Sequence, residues 1–118
     1  MFYETSREEI RPWGSFQVLD EGPDHKVKRI ILCPGKRHSL QRHAGRSEHW
    51  FIVSGTAIVI LDGAEITVTA GSSIDIPCGS LHRMANIGDV DVVLIEVQTG
   101  DYFDEDDIER FEDDYGRA

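Results

Sequence analysis

The chain has 118 residues and a formal net charge of −10, enough for one domain with a real core and too little for two. Residues 101–118 hold nine acids and two bases, −7, so the first hundred residues carry only −3 from thirteen acids and ten bases; nucleic acid, which needs a basic surface, is not an expected partner. No apolar run approaches the roughly 20 residues of a membrane helix, the first residues hold neither a basic leader nor an apolar h-region, and Cys33 and Cys78 show no pairing pattern, so a cytoplasmic, reduced protein without a membrane partner is expected.

In chain order, residues 1–10 read as an N-terminal arm and residues 11–118 as the single domain. Residues 15–19 and 27–32 are strand-like and are separated by a turn-forming run from Asp20 to Asp24. Pro34-Gly35 ends the second strand. Residues 39–43 and 49–53 then flank a short turn, Ala44-Gly45-Arg46. Residues 56–61 and 64–69 are joined by Asp62-Gly63, a strong two-residue hairpin signal. Residues 73–76, 82–85 and 90–98 complete the set. Strands recur about every ten residues, and nothing before residue 100 has helical periodicity. The expected fold is all-β, an antiparallel sandwich or barrel.

Two further features concern what covers the sheets. Trp50 and Ile52 alternate with Phe51 and Val53, and Val92 and Leu94 with Val93 and Ile95, so these strands are apolar on both faces. A homodimer through the outer face carrying Phe51 and Val53 is expected. In the tail, Ile108, Phe111 and Tyr115 fall at i, i+3 and i+7, with acids at Asp104, Glu105, Asp106 and Asp107. That spacing predicts a short C-terminal helix docked on the sheet.

Gln41 and His43 are two apart and leave the same face of a strand. Glu48 follows across the short turn, and His82 follows the loop shaped by Pro77 and Gly79. Taken singly, each has a blander reading as a surface or satisfied core side chain. Together, two imidazoles, a carboxylate and an amide oxygen predict one divalent metal site of Gln41, His43, Glu48 and His82. Mixed nitrogen and oxygen ligands suit zinc, manganese, iron, cobalt or nickel without choosing among them.

The spacing of Gly35, Gln41, His43, Glu48 and Gly55 resembles the first cupin motif, with Gln41 in place of its first histidine. Gly71, Pro77-Cys78-Gly79, His82 and Asn86 match the second without a gap. The resemblance implies a jelly-roll barrel. Arg11-Pro12-Trp13-Gly14, the run from Ser39 to His43, Arg46-Ser47-Glu48-His49-Trp50 and the tail are similar to type II mannose-6-phosphate isomerases. That family also occurs as the C-terminal domain of bifunctional mannose-1-phosphate guanylyltransferases. A second histidine usual in the family is replaced by Gly45, and no nucleotidyltransferase domain precedes the motif, so the function expected is that of the isolated domain.

Basic residues cluster near the proposed ligands: Lys36, Arg37, Arg42, Arg46 and Arg83 all lie within five residues of one. Arginine matches phosphate through two parallel hydrogen bonds, which fits a phosphorylated sugar as the ligand. Arg42 alternates with Gln41 and His43 and should point away, and Lys36 and Arg37 are read as solvated. The resemblance implies a substrate-binding or catalytic role for Arg46, and Arg83 and Arg11 are further substrate-binding candidates. His25, His38 and His49 are read as structural, Trp13 as core and Cys78 as a neutral thiol. The expected reaction interconverts mannose 6-phosphate and fructose 6-phosphate through an enediol. Glu48, Lys26, Lys28 and Glu96 are the candidate bases. The alternatives are a metal-containing cupin that binds a sugar phosphate without turnover, and an iron dioxygenase.

Overall fold

A computed structural model describes residues 7–104 and 106–117. Its strands are β1 (Glu9–Arg11), β2 (Gly14–Glu21), β3 (His25–Leu32), β4 (Leu40–Arg42), β5 (Arg46–Ser54), β6 (Thr56–Leu61), β7 (Ala64–Thr69), β8 (Ser73–Ile76), β9 (His82–Ala85), β10 (Val92–Gly100) and β11 (Glu109–Glu112). They form two antiparallel sheets, in the orders β1-β2-β3-β10-β5-β8 and β11-β4-β9-β6-β7. The β6–β7 turn is the expected hairpin. Asp62 and Gly63 both have positive φ, 47° and 85°, which the favoured two-residue turn requires and which glycine adopts without strain.

Alternation decides what enters the barrel. On β5, Arg46, Glu48, Trp50 and Ile52 are buried while His49, Phe51 and Val53 are exposed. On β10, Val92, Leu94, Glu96 and Gln98 are buried. The register aligns these residues into rows across β3, β10 and β5: Ile30, Leu94 and Ile52; then Lys28, Glu96 and Trp50; then Lys26, Gln98 and Glu48. One end of the interior is therefore apolar, completed by Leu32, Val59 and Met84. The other end is lined with polar groups.

The tail departs from the helix its spacing predicts. Among the described residues there is no helix, and Glu109–Glu112 forms the strand β11, paired with β4. The physical reason is an edge. β4 would otherwise expose a row of unpaired backbone groups, whereas a solitary helix of this length is marginal on its own. Arg42 reinforces the pairing through Glu109 at 2.9 Å and lies over the Phe111 ring at 5.2 Å. Tyr115 packs on the core cluster and donates to the Arg37 carbonyl at 2.9 Å. The tail therefore covers the β4 sheet, and the opposite outer face keeps Phe51 and Val53 exposed.

Residues 1–6 of the expected arm, and Glu105 of the expected helix, lie outside the described residues. Glu9–Arg11 pairs with β2.

Candidate metal centre

Three strands and one turn converge at the polar end. Gln41 on β4 stands directly opposite His82 on β9, His43 follows β4, and Glu48 projects inward from β5. His43, Glu48 and His82 each offer a ligand atom, and these atoms lie within 4.8 Å of one another. All three residues are buried. Gln41 lines the same cavity.

The imidazoles are oriented by backbone. His43 Nδ1 donates to the Asp107 carbonyl at 2.7 Å, and His82 Nδ1 donates to the Ser80 carbonyl at 2.9 Å. A carbonyl only accepts, so each Nδ1 carries a proton, which leaves Nε2 as the nitrogen that can serve a metal, the arrangement that fixes metal-ligating histidines. His43 Nε2 is 3.1 Å from Glu48 Oε2. The other carboxylate oxygen accepts from Trp50 Nε1 at 2.9 Å. Arg46 Nε donates to Glu48 Oε2 at 3.0 Å and another of its nitrogens lies 3.3 Å from His43 Nε2. A cation thus already faces these two residues. The donor set, two imidazole nitrogens and a carboxylate, fits a borderline divalent ion.

The carboxyl pair is split electrostatically. Burial would push Glu48 up, but hydrogen bonds from His43 and Glu96 and the charges of His43 and Arg46 hold it well below its ordinary value. For Glu96, burial and the neighbouring Glu48 charge act in the same direction and raise it well above. Glu48 is therefore the ionised member and Glu96 the protonated one. Gln98 Nε2 donates to Glu96 Oε1 at 2.9 Å. Burial lowers His82, and lowers His38 to about 4, so both are neutral near pH 7.

The cavity is about 200 Å³, smaller than the roughly 300–1,000 Å³ of drug-sized sites and suited to a monosaccharide-scale ligand. Its walls include Arg46, Glu96, Lys28, His38 and Trp13 from the sequence-derived candidates, with Arg11 at its half-buried edge. Arg83 is not brought there. It is a buried residue of β9 that donates to the His38 carbonyl at 3.2 Å and pairs with Glu112 at 3.5 Å, a tie between β9 and the tail. Lys26 pairs with Glu21. Lys36, Arg37 and Arg42 lie outside the cavity, and His49 pairs with Asp75 on the outer face. His25 bridges Asp20 and Asp24. Cys78 is exposed and its thiol donates to the Ala44 carbonyl at 3.0 Å.

The tail explains Gly45. Asp107 accepts from the Ala44 and Gly45 amides at 2.9 and 2.7 Å. A Cβ at Gly45 would lie 2.8 Å from Tyr102 Cβ and 3.0 Å from Asp107 Oδ2. The tail fills the space that a side chain at this position would need. Arg110 and Arg117, which also line the cavity, were missed by sequence reasoning. The available signal was that they are the only two bases in an acidic tail.

Comparison with known proteins agrees with this geometry. The chain is 51% identical over 111 residues to the alginate biosynthesis protein AlgA of Pseudomonas aeruginosa, covering 94% of this chain and 23% of that protein. It is 46% identical to the mannose-1-phosphate guanylyltransferase ManC of Salmonella typhimurium, covering 95% of this chain and 23% of the relative. It thus spans about a quarter of the length of these relatives. Among solved structures, the capsular polysaccharide assembling protein CapF of Staphylococcus aureus superposes with a TM-score of 0.79 at 27% identity, over 94% of this chain and 32% of CapF. Oxalate decarboxylase of Lactobacillus farciminis shares the fold alone, with a TM-score of 0.77 at 19% identity over 90% of this chain and 33% of that one. Residues 2–113 match the family described as mannose-6-phosphate isomerase C-terminal, and the chain belongs to that family of cupin domains.

Proposed function

We propose that this domain is a metal-dependent aldose–ketose isomerase that interconverts mannose 6-phosphate and fructose 6-phosphate. The observation that carries the reading is the buried convergence of His43, Glu48 and His82 in a small cavity, in a chain of this family. These three residues, with Gln41 beside His82, would hold one divalent ion. Such an ion supplies Lewis-acid stabilisation of the negative charge that develops on a sugar oxygen during enediol formation.

The chain's own groups divide the remaining work. Isomerisation moves one proton between C1 and C2, which requires a group that can give and take it within hydrogen-bond reach. Glu48 and Glu96 are neighbouring carboxyls whose affinities for a proton are driven apart, the pattern of an acid–base pair. With Glu48 engaged as a ligand, Glu96 is the carboxyl left at the cavity wall; in its ionised form it would take the proton from one carbon and, as the acid so formed, return it to the other. Arg46 is set beside Glu48 and His43, where its positive charge favours an enediolate rather than a distant phosphate. Trp13 and Trp50 are buried at the cavity wall and exclude water from it.

A coupled isomerase assay on protein of measured metal content tests the reading, with turnover of mannose 6-phosphate as the expected result. Arg46→Lys keeps the charge but loses the forked geometry. With Arg46 acting at the reacting carbons, kcat falls while KM changes little. The runner-up is a binding module that holds a sugar phosphate without turnover. Binding by calorimetry with no turnover under any metal would select it. We also propose that a second copy of the chain covers the outer face at Phe51 and Val53, since the tail lies on the other sheet.

A further inference from the structure

The cavity is far more basic than the molecule around it. The chain carries −10, yet the cavity is lined by five cationic side chains, Arg11, Lys28, Arg46, Arg110 and Arg117, and only two carboxyls, Glu48 and Glu96. A concave site of one sign inside a protein of the opposite sign focuses its field on an anionic ligand. Arg46 sits within the His43–Glu48 cluster, Arg117 is gripped by Asp113 through its Nε at 2.8 Å and a terminal nitrogen at 3.1 Å, and Arg11 lies 3.7 Å from Glu9.

Arg11, Lys28 and Arg110 reach the cavity from β1, β3 and β11. In one sheet the order β3-β10-β5 runs through a single row, Lys28, Glu96 and Trp50, with Glu48 on the same final strand. In the other sheet β11-β4-β9 runs through Arg110, Gln41 and His82. The second row begins at Arg110 and ends at His82 of the cluster, and the first begins at Lys28 and ends at Trp50, the next inward residue to Glu48 on β5. The two ends are two strand spacings apart, roughly 10 Å between backbones and less between inward side chains, a span suited to a six-carbon sugar chain. Phe16 packs beside two of these cations. Lys28 Nζ lies 4.4 Å and the Arg11 guanidinium carbon 4.9 Å from its ring centroid.

We propose that Arg110 of the tail strand and Lys28 of β3, with Arg11 beside them, form a phosphate subsite. It would hold the 6-phosphate of a hexose phosphate whose C1–C2 end lies at the His43–Glu48–His82 cluster. The proposal rests on reading the cavity as a sugar-phosphate site. It assigns the phosphate to residues other than Arg46, and it gives the β11 pairing a function: the tail that completes the sheet also delivers a guanidinium able to meet phosphate through two parallel hydrogen bonds.

The test is calorimetric titration of the metal-loaded chain with mannose 6-phosphate, mannose and inorganic phosphate. A lost hydrogen bond to a charged group is worth about 1.5–3 kcal/mol. Arg110→Gln should therefore weaken mannose 6-phosphate and inorganic phosphate about 10- to 100-fold, leaving mannose binding and metal content unchanged. Arg110→Lys should recover part of the loss, which a merely structural role for Arg110 would not produce. Lys28→Met, on the opposite sheet, should act in the same direction and decides the matter if Arg110→Gln loosens the tail strand. Wild-type affinity for mannose 6-phosphate in both Arg110→Gln and Lys28→Met would overturn the subsite while leaving the sugar-phosphate reading intact. Phosphate binding that depends on Arg110, in a protein that turns over no hexose phosphate, would uphold the subsite and remove the isomerase. A wild-type chain that binds neither mannose 6-phosphate nor phosphate would overturn both.

Discussion

The interior of this barrel has two ends built on the same strands. At one end Ile30, Leu94 and Ile52 meet Leu32, Val59 and Met84; a few residues along β3, β10 and β5 the inward positions become Lys28, Glu96, Gln98 and Glu48. Backbone geometry and pairing are continuous from one end to the other. Only the residue types change. The apolar end gains its stability from removing hydrocarbon from water, whereas the polar end buries charge and needs every group paired or placed against a ligand. The scaffold is thus held at one end so that the other can keep costly groups in place.

Removing a ligand atom should separate the ends most sharply. His82→Ala is expected to abolish bound metal in elemental analysis and to lower isomerase turnover by more than about 100-fold, since even groups that only orient a ligand cost about 10- to 100-fold. Full metal content in this variant would show that the cluster is not the site. The reciprocal change is Ile52→Ala, a fully buried residue at the apolar end. It should cost about 2–5 kcal/mol in denaturant unfolding while the folded protein still binds one equivalent of metal. Simultaneous loss of metal below the unfolding transition would mean that the ends are not separable.

Acid should reveal the boundary between them. His38 is half-buried, edge-on against Trp13 at 4.4 Å, and desolvation lowers its pKa from 6.5 to about 4. The unfolded chain takes up this proton near pH 6.5 and the native chain only near pH 4. Between those values the unfolded state binds more protons, so stability falls as pH drops, by at most about 3 kcal/mol from this group. His38→Phe keeps a ring against Trp13 and removes the titration. Its stability should therefore decline less than wild type between pH 6.5 and 4 in parallel denaturant curves. Equal declines would assign the acid sensitivity to other groups.

The smallest effect on stability is expected outside the barrel. Phe51→Asp changes an exposed side chain and should alter monomer stability by less than about 0.5 kcal/mol. If the outer face joins two copies, the same change should convert a dimer into a monomer in light scattering. A wild-type monomer at micromolar concentration would dispose of the dimer.

What the sequence determined by itself is what repeats locally. Alternation along β5 and β10 decides which side chains face inward, because successive residues of a strand must point to opposite faces. Asp62-Gly63 decides the β6–β7 turn, because few other pairs accept two positive φ values. The spacings of His43, Glu48 and His82 carried their convergence, since two short stretches hold all three residues. The tertiary structure alone decided the fate of the tail. Its apolar spacing suits a helix, but the partner that makes it a strand is β4, 67 residues away at the Arg42–Glu109 contact, and no local pattern reports an unpaired edge. From that one pairing follow Arg110 in the cavity, the space filled against Gly45, and Arg83 drawn to Glu112. The split between Glu48 and Glu96 is of the same kind: two carboxyls 48 positions apart in the chain differ in protonation only because folding buries them against each other.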